Sequence, residues 1–298
     1  MNGEPGSLAT SPDSAPRSPL ALAGARWAWP ALLALALAGS FHEYLTWMAQ
    51  QWWRDEYYGH GALIPLISGY LLYRRRAYLA TLPREGGRWG LVLVACALLL
   101  HTAAQFFGIH FVSGFALVAT LYGLVLWIGG RQVARALAFP VGFLLFMVPL
   151  SRLLVEKLAL PMQALSARAA GAVSAAVISG TKVEGVSIIT PDYAFSVAIP
   201  CSGLKSLIAM AALGALFAYL VEGTPVRRVL LFLCAFPLAL LANLVRIFVT
   251  VVLGNGIGAA AAEGFFHSVS GAFVFLLALG GLFLVGGWLG CHKMRDDI

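Results

Sequence analysis

Val197-Ala-Ile-Pro-Cys-Ser-Gly-Leu-Lys-Ser-Leu207 puts a cysteine directly after a proline, at the mouth of a long apolar helix expected over residues 201–221. A thiol at a helix start meets the positive end of the helix dipole and free backbone N–H groups, and both favour thiolate. Lys205, one turn further in, adds positive charge if it faces the same way. Ser202 and Gly203 let backbone donors approach a substrate carbonyl closely, as an oxyanion hole requires. The plain alternative is a small residue filling a helix start. Of the four cysteines, Cys96 and Cys234 fall in mid-helix and Cys291 at a helix end, where small apolar residues are expected. No CxxC pairing or zinc spacing is present.

The rest of the chain reads as a frame around that stretch. Of 298 residues 60% are hydrophobic and 11% charged, against about 25% charged in a soluble domain. The deficit falls in runs near 20 residues long, the length that crosses a bilayer. The expected class is an all-α polytopic membrane protein with about eight transmembrane helices, over 27–49, 60–73, 89–107, 110–128, 133–150, 201–221, 229–253 and 268–290. The net charge of +7 does not point to nucleic acid, because the basic residues cluster at helix ends. Arg74-Arg75-Arg76, Arg131 and Arg135, Arg227-Arg228, Lys293 and Arg295 all fall on one side, the positive-inside pattern, with both termini cytoplasmic. Arg152, Lys157, Arg168 and Lys182 fall on the other side, in a longer extramembrane segment where the rule weakens.

Residues 1–26 are rich in Pro, Ser, Ala and Gly and are expected to be a disordered cytoplasmic tail. Ala31–Ala38 followed by Gly39-Ser40 imitates a signal peptide, but the long preceding region with Glu4 and Asp13 favours a retained first helix. Residues 27–292 then form one integral membrane domain, and 151–199 is its extracytoplasmic segment. Within it, 152–178 reads as a helix in the outer interface, with Arg152 and Glu156 four apart. Over 183–199, apolar residues alternate around Pro191-Asp192, the pattern of a small β-hairpin before the sixth span. That hairpin delivers the chain to Cys201.

Two further residues reach the same depth. Arg246 follows Arg228 by 18 residues, a rise of about 27 Å in a hydrocarbon core of about 30 Å, which sets it near the outer rim. An arginine there snorkels, pairs with an acid such as Glu263, or serves as a fixed cation for an oxyanion or a substrate carboxylate. His267 precedes the last span on the same face and has the chemistry of a general base toward the thiol and a general acid toward a leaving amine. Position alone does not single it out, since His42, His60, His101 and His110 also fall in outer halves. A nucleophile, a fixed charge and a proton carrier are together the parts that acyl transfer needs.

Cys201-Ser-Gly-Leu, Asn243-x-x-Arg246 and His267 at the opening of the last helix resemble, in order, the motifs of the exosortase/archaeosortase family. Tyr58-Gly-His60-Gly-Ala-Leu-Ile-Pro-Leu-Ile-Ser68 with Tyr73-Arg-Arg-Arg76 is similar to the family's early signature. Pro149, Pro161-Met-Gln163 and Val183-Glu-Gly185 fit its middle, so the resemblance covers roughly 40–290. Lys205 stands where an arginine is common, and Ile199-Pro200 precedes the cysteine; both blur the subfamily. The resemblance implies a bacterial inner-membrane cysteine transpeptidase whose site faces the periplasm. Cys201 would cut near the C-terminal sorting tail of an exported protein, a tail with a Pro-Glu-Pro-type motif, a transmembrane helix and a basic end. It also implies an oxyanion role for Arg246, proton transfer by His267 and supporting roles for His60, Ser202, Lys205 and Asn243. The partners are such exported proteins, the lipid bilayer and an acceptor the sequence does not identify; no metal or organic cofactor is implied. Two other classes compete: a transporter using Arg246 and the outer histidines for an anion, and a non-catalytic component of an envelope-polymer (exopolysaccharide) export system. Transporters usually place such residues near the midplane and often carry inverted repeats; here the polar residues gather at one rim and no repeat is visible.

Overall fold

A segment that crosses hydrocarbon must satisfy its own N–H and C=O groups, and this apolar chain does so almost entirely as helix. The computed structural model describes residues 31–258, 265–291 and 293–295, with the side chains of 265–270 and Pro200 outside that description. The expected disordered tail over 1–26 lies outside the described residues. After Leu45 the chain divides into two compact units. The first contains helix α1 (Ala31–Ser40) and the start of α2 (His42–Arg54). The second contains α3 (Leu63–Arg74), α4 (Arg76–Thr81), α5 (Arg88–Phe106), α6 (His110–Ala136), α7 (Ala138–Phe143), a 3-10 turn (Leu144–Met147) and α8 (Arg152–Ala175). Three short strands follow, then α9 (Leu204–Leu220), α10 (Pro225–Ile257) and α11 (Phe265–Trp288).

The protein is mostly helical and multi-pass, and the expected count of about eight spans is not confirmed among the described residues. Four described helices are long and apolar enough to cross a bilayer: α5, α6, α10 and the 271–288 part of α11. A fifth arises if α7 with its 3-10 turn and α8, bent by 83° at a break that contains Pro149, form one broken span. The physical reason is length. α3 has 12 residues and α9 has 17, rises of about 18 and 25 Å against a core of about 30 Å. Hydropathy marks an apolar run but not the point where its helix stops.

Local sequence sets the helix starts. At α10, the Thr224 hydroxyl accepts from Arg227 N at 3.4 Å, and Pro225 fills a first position whose N–H would have no partner. Ser151 caps α8 by accepting from Leu154 N at 3.3 Å. The expected Arg152–Glu156 pair forms at 3.3 Å between exposed side chains, so it contributes at most about 1 kcal/mol.

The expected hairpin around Pro191-Asp192 is present as β2 (Ser187–Ile189) against β3 (Ala194–Ser196). Thr190 closes its turn: its N–H donates to Tyr193 O at 2.8 Å and its hydroxyl accepts from Tyr193 N at 3.1 Å. A further strand, β1 (Lys182–Glu184), joins β2, giving a three-stranded antiparallel sheet in the order β1-β2-β3. The arm expected as one run from Val183 to Ile189 folds back on itself at Gly185, and Val183 pairs with Ile188. Ile188 pairs with Phe195, and both are buried.

That inner face packs with Ala167 and Ala170 of α8 and with Ile247 and Val251 of α10 in one apolar cluster, which includes Cys201. The Tyr193 ring lies against Gly254 of α10, where a Cβ would collide with it. The sheet is thereby wedged onto α8 and α10 and hands the chain to the thiol. A second cluster, built from Met210 of α9, Ala235 and Ala239 of α10, and Val274 and Ala278 of α11, joins the last three helices. Alanines on α10 let these backbones approach closely.

Candidate active site

Cys201 lies in a 3-10 turn, Ile199–Ser202, that precedes α9. Gly203 separates turn from helix with φ +90°, a left-handed conformation that side-chain-bearing residues rarely take. This differs from a helix beginning at Cys201. The Cys201 N–H is already engaged, donating to Ala198 O at 2.8 Å, so it is not one of the free donors of a helix start.

Side chains from three different elements hold the backbone around the thiol. Asn243 of α10, buried, donates through Nδ2 to Cys201 O at 3.0 Å. Ser166 of α8 donates to Ser202 O at 3.1 Å, and Gln163 of the same helix donates to Val197 O. Tyr57, in the α2–α3 turn, donates its hydroxyl to Ile199 O at 3.4 Å. Ser202 is fully buried, and its hydroxyl accepts from Leu204 N at 3.4 Å. A Cβ at position 203 would stand 3.0 Å from Asn243 Nδ2, so Gly203 serves both the turn and the asparagine.

Electrostatics at the thiol are opposed. Burial, with Cys201 only 3% exposed, pushes the thiol above its usual range. The Arg246 guanidinium pulls it back down, as does a backbone hydrogen bond at Ala198, and Glu56 adds an upward push. Asn243 and Arg246 are three residues apart and so share one face of α10. One holds the carbonyl of the cysteine while the other acts on its sulfur. Glu263, the acid weighed as a partner for Arg246, lies outside the described residues.

Lys205 is paired with an acid from the α2–α3 turn. Its Nζ reaches 3.8 Å from Glu56 Oε2, both side chains half-exposed. His60 sits in the same α2–α3 turn as Glu56 and Tyr57. Burial lowers its pKa, a hydrogen bond with the Phe146 backbone works the other way, and its Nε2 is buried with no hydrogen-bond partner. His267 is the third residue of α11, and its side chain lies outside the described residues. A cleft of about 590 Å³ is bordered by Trp52, Trp53, Tyr57, His60, Lys205 and, from α11, Phe275. It adjoins the turn that carries the thiol, since Tyr57 in its wall donates to Ile199 O of that turn at 3.4 Å.

Glu56, Tyr57 and Ser166 carry no sequence signal of their own. Glu56 and Tyr57 directly precede the Tyr58-Gly-His60 stretch, which is the one clue to their neighbourhood. Gln163 falls in the Pro161-Met-Gln163 stretch, but its carbonyl partner lies 34 residues away.

The family model for the transmembrane exosortase (EpsH) matches residues 52–284, well over half of the chain. The chain belongs to the transmembrane exosortase family. The match takes in the α2–α3 turn, Cys201, Asn243, Arg246 and His267. Exosortase membership implies a membrane protein-sorting transpeptidase, a peptide-bond-cleaving enzyme, with PEP-CTERM proteins as its substrates. No curated protein and no solved structure matches the exosortase chain.

Proposed function

We propose that Cys201 is the nucleophile of this transpeptidase, working at the periplasmic face of the bacterial inner membrane. The Sγ of Cys201 adds to the carbonyl carbon of a peptide bond beside the sorting motif of an exported protein. Arg246 stabilises the oxyanion of the tetrahedral intermediate. His267 takes the thiol proton and returns it to the leaving amine as the C–N bond breaks, which leaves a thioester on Cys201. An acceptor amine or water then attacks the thioester and restores the thiol. Asn243 and Ser202 fix the backbone of the nucleophile, and His60 shapes the adjoining cleft. A substrate tail anchored in the same bilayer presents its cleavage site just outside the membrane, level with these residues.

The observation that carries this reading is the pairing on α10: Asn243 on the carbonyl of Cys201 and, one turn on, Arg246 acting on its thiol. Burial pushes the thiol pKa up, which calls for a base during attack, and the role is assigned to His267 on its chemistry and its place in the family's motif order.

The test is co-expression with an exported reporter bearing a Pro-Glu-Pro-type tail, read as reporter size on a gel. At wild-type membrane abundance, Cys201→Ala and His267→Ala are expected to abolish the shortened form and Arg246→Ala to slow its appearance severely. Normal shortening by Cys201→Ala would remove the cysteine mechanism.

A further inference from the structure

The cleft beside Cys201 holds chemistry that acyl transfer does not use. Its aromatic walls come from separate elements: Trp52 and Trp53 at the end of α2, Tyr57 in the following turn and Phe275 on α11. Trp52 is fixed in place, donating Nε1 to Met147 O at 3.0 Å and filling the space that Gly61 leaves open. Trp53 stands 86% exposed, a large apolar face with no protein covering it. Prolines dock on such surfaces because a proline-rich segment is already extended and loses little entropy on binding.

Lys205 brings a cation to these rings from the first turn of α9. Lys205 is four residues past Cys201, and its partner Glu56 is 3.8 Å away, beyond hydrogen-bonding length. A half-exposed ion pair of this kind contributes about 0–1 kcal/mol, so an incoming carboxylate can take the place of Glu56 at little cost. The other charges bordering the cleft are Arg54 and Asp55, and Asp55 is occupied in accepting from Tyr57 N at 2.8 Å.

We infer that this cleft reads the sorting motif, its aromatic walls taking the prolines and Lys205 taking the glutamate between them in exchange for Glu56. The inference rests on the transpeptidase reading above and assigns that substrate a subsite. Aromatic rings alone would accept any proline-rich strand, and Lys205 alone any acid. Their combination in one cleft next to the thiol selects an acid flanked by prolines.

The test uses the full chain co-expressed with three exported reporters, identical except for Pro-Glu-Pro, Pro-Gln-Pro or Pro-Lys-Pro in the tail. Rates of shortening are compared at matched membrane abundance. Wild type should favour the Glu tail over the Lys tail by ~10-fold or more, Lys205→Gln should bring the Glu and Gln tails to about the same rate, and Lys205→Glu should reverse the order. Lys205→Glu that keeps the Glu preference, or Lys205 variants that slow all three tails by one factor, would overturn the subsite. Should Lys205→Glu fail to accumulate, the Glu-to-Gln ratio in Lys205→Gln decides alone. Cys201→Ala separates the two claims. Shortening that survives it removes the transpeptidase reading, whereas shortening that needs Cys201 but ignores Lys205 removes only the subsite.

Discussion

At one end of α9 the thiol of Cys201 feels the guanidinium of Arg246; near the other, the Tyr219 ring has Arg75 and Arg295 at 5.3 and 5.6 Å from its centroid. The Tyr219 ring also stacks on Phe139, 3.7 Å between centroids and 7° from parallel. Arg75 donates to Ala136 O at 2.9 Å, and the Arg295 backbone donates to Leu220 O at 2.8 Å, tying down the last turns of α6 and α9. Cations here meet ring faces and helix carbonyls, so the product is stability. At the Cys201 end neutral side chains do the holding, and the cation instead meets a group that changes protonation. The same residue type therefore yields architecture in one place and reactivity in the other. Substitutions should separate the two: activity without stability at the thiol, stability without activity at the tyrosine.

Arg246→Ala is the sharpest way to break that contrast. Reporter shortening should slow ~10²–10³-fold at equal abundance, and alkylation of Cys201 by a small maleimide should move to higher pH, because the charge that lowers the thiol pKa is gone. An unmoved alkylation profile would put Arg246 in the same class as the arginines at Tyr219. Gly203→Ala should come next. The left-handed backbone costs about 1–2 kcal/mol with a side chain, and the new methyl presses on Asn243, so shortening should fall ~10–100-fold through misplacement of the thiol. Rate and thermal midpoint, measured together, check it. A loss of stability alone would mean that the turn's geometry is not used in catalysis.

Glu56→Gln tests the sign of the field with a smaller effect. Glu56 pushes the thiol pKa up, so its neutralisation should shift the alkylation profile to lower pH, opposite to Arg246→Ala. Tyr219→Ala should leave shortening per folded molecule within about twofold. It should cost about 1–3 kcal/mol through the lost stack and cation–π contacts, read as a lower thermal midpoint in detergent. Loss of shortening at full stability would erase the distinction between the two ends.

Much of this arrangement is legible in the chain. Charge scarcity gives the membrane class, and alternation around Pro191-Asp192 gives the hairpin, because both depend on local patterns of apolar residues. Cys201 stands out because proline, serine and glycine surround it. Gly203 can be recognised as a turn residue, but its left-handed geometry, which moves the thiol out of α9, depends on Asn243 packed 40 positions away. The span count is left unconfirmed because hydropathy does not mark the bend at the break containing Pro149 or the short length of α3. Lys205 looks like a charge for the thiol in the sequence. Only the fold brings Glu56 across from the α2–α3 turn to pair with it at the edge of the cleft.

The central claim, that Cys201 carries the acyl group, is tested most directly by acid-quenching the protein during turnover of a tail-bearing reporter and mapping the adduct by mass spectrometry. The expected result is a hydroxylamine-labile link from the reporter's new C-terminus to Cys201, absent in Cys201→Ala. Shortening at the normal rate with no such link, or with the link on Cys96, Cys234 or Cys291, would contradict it.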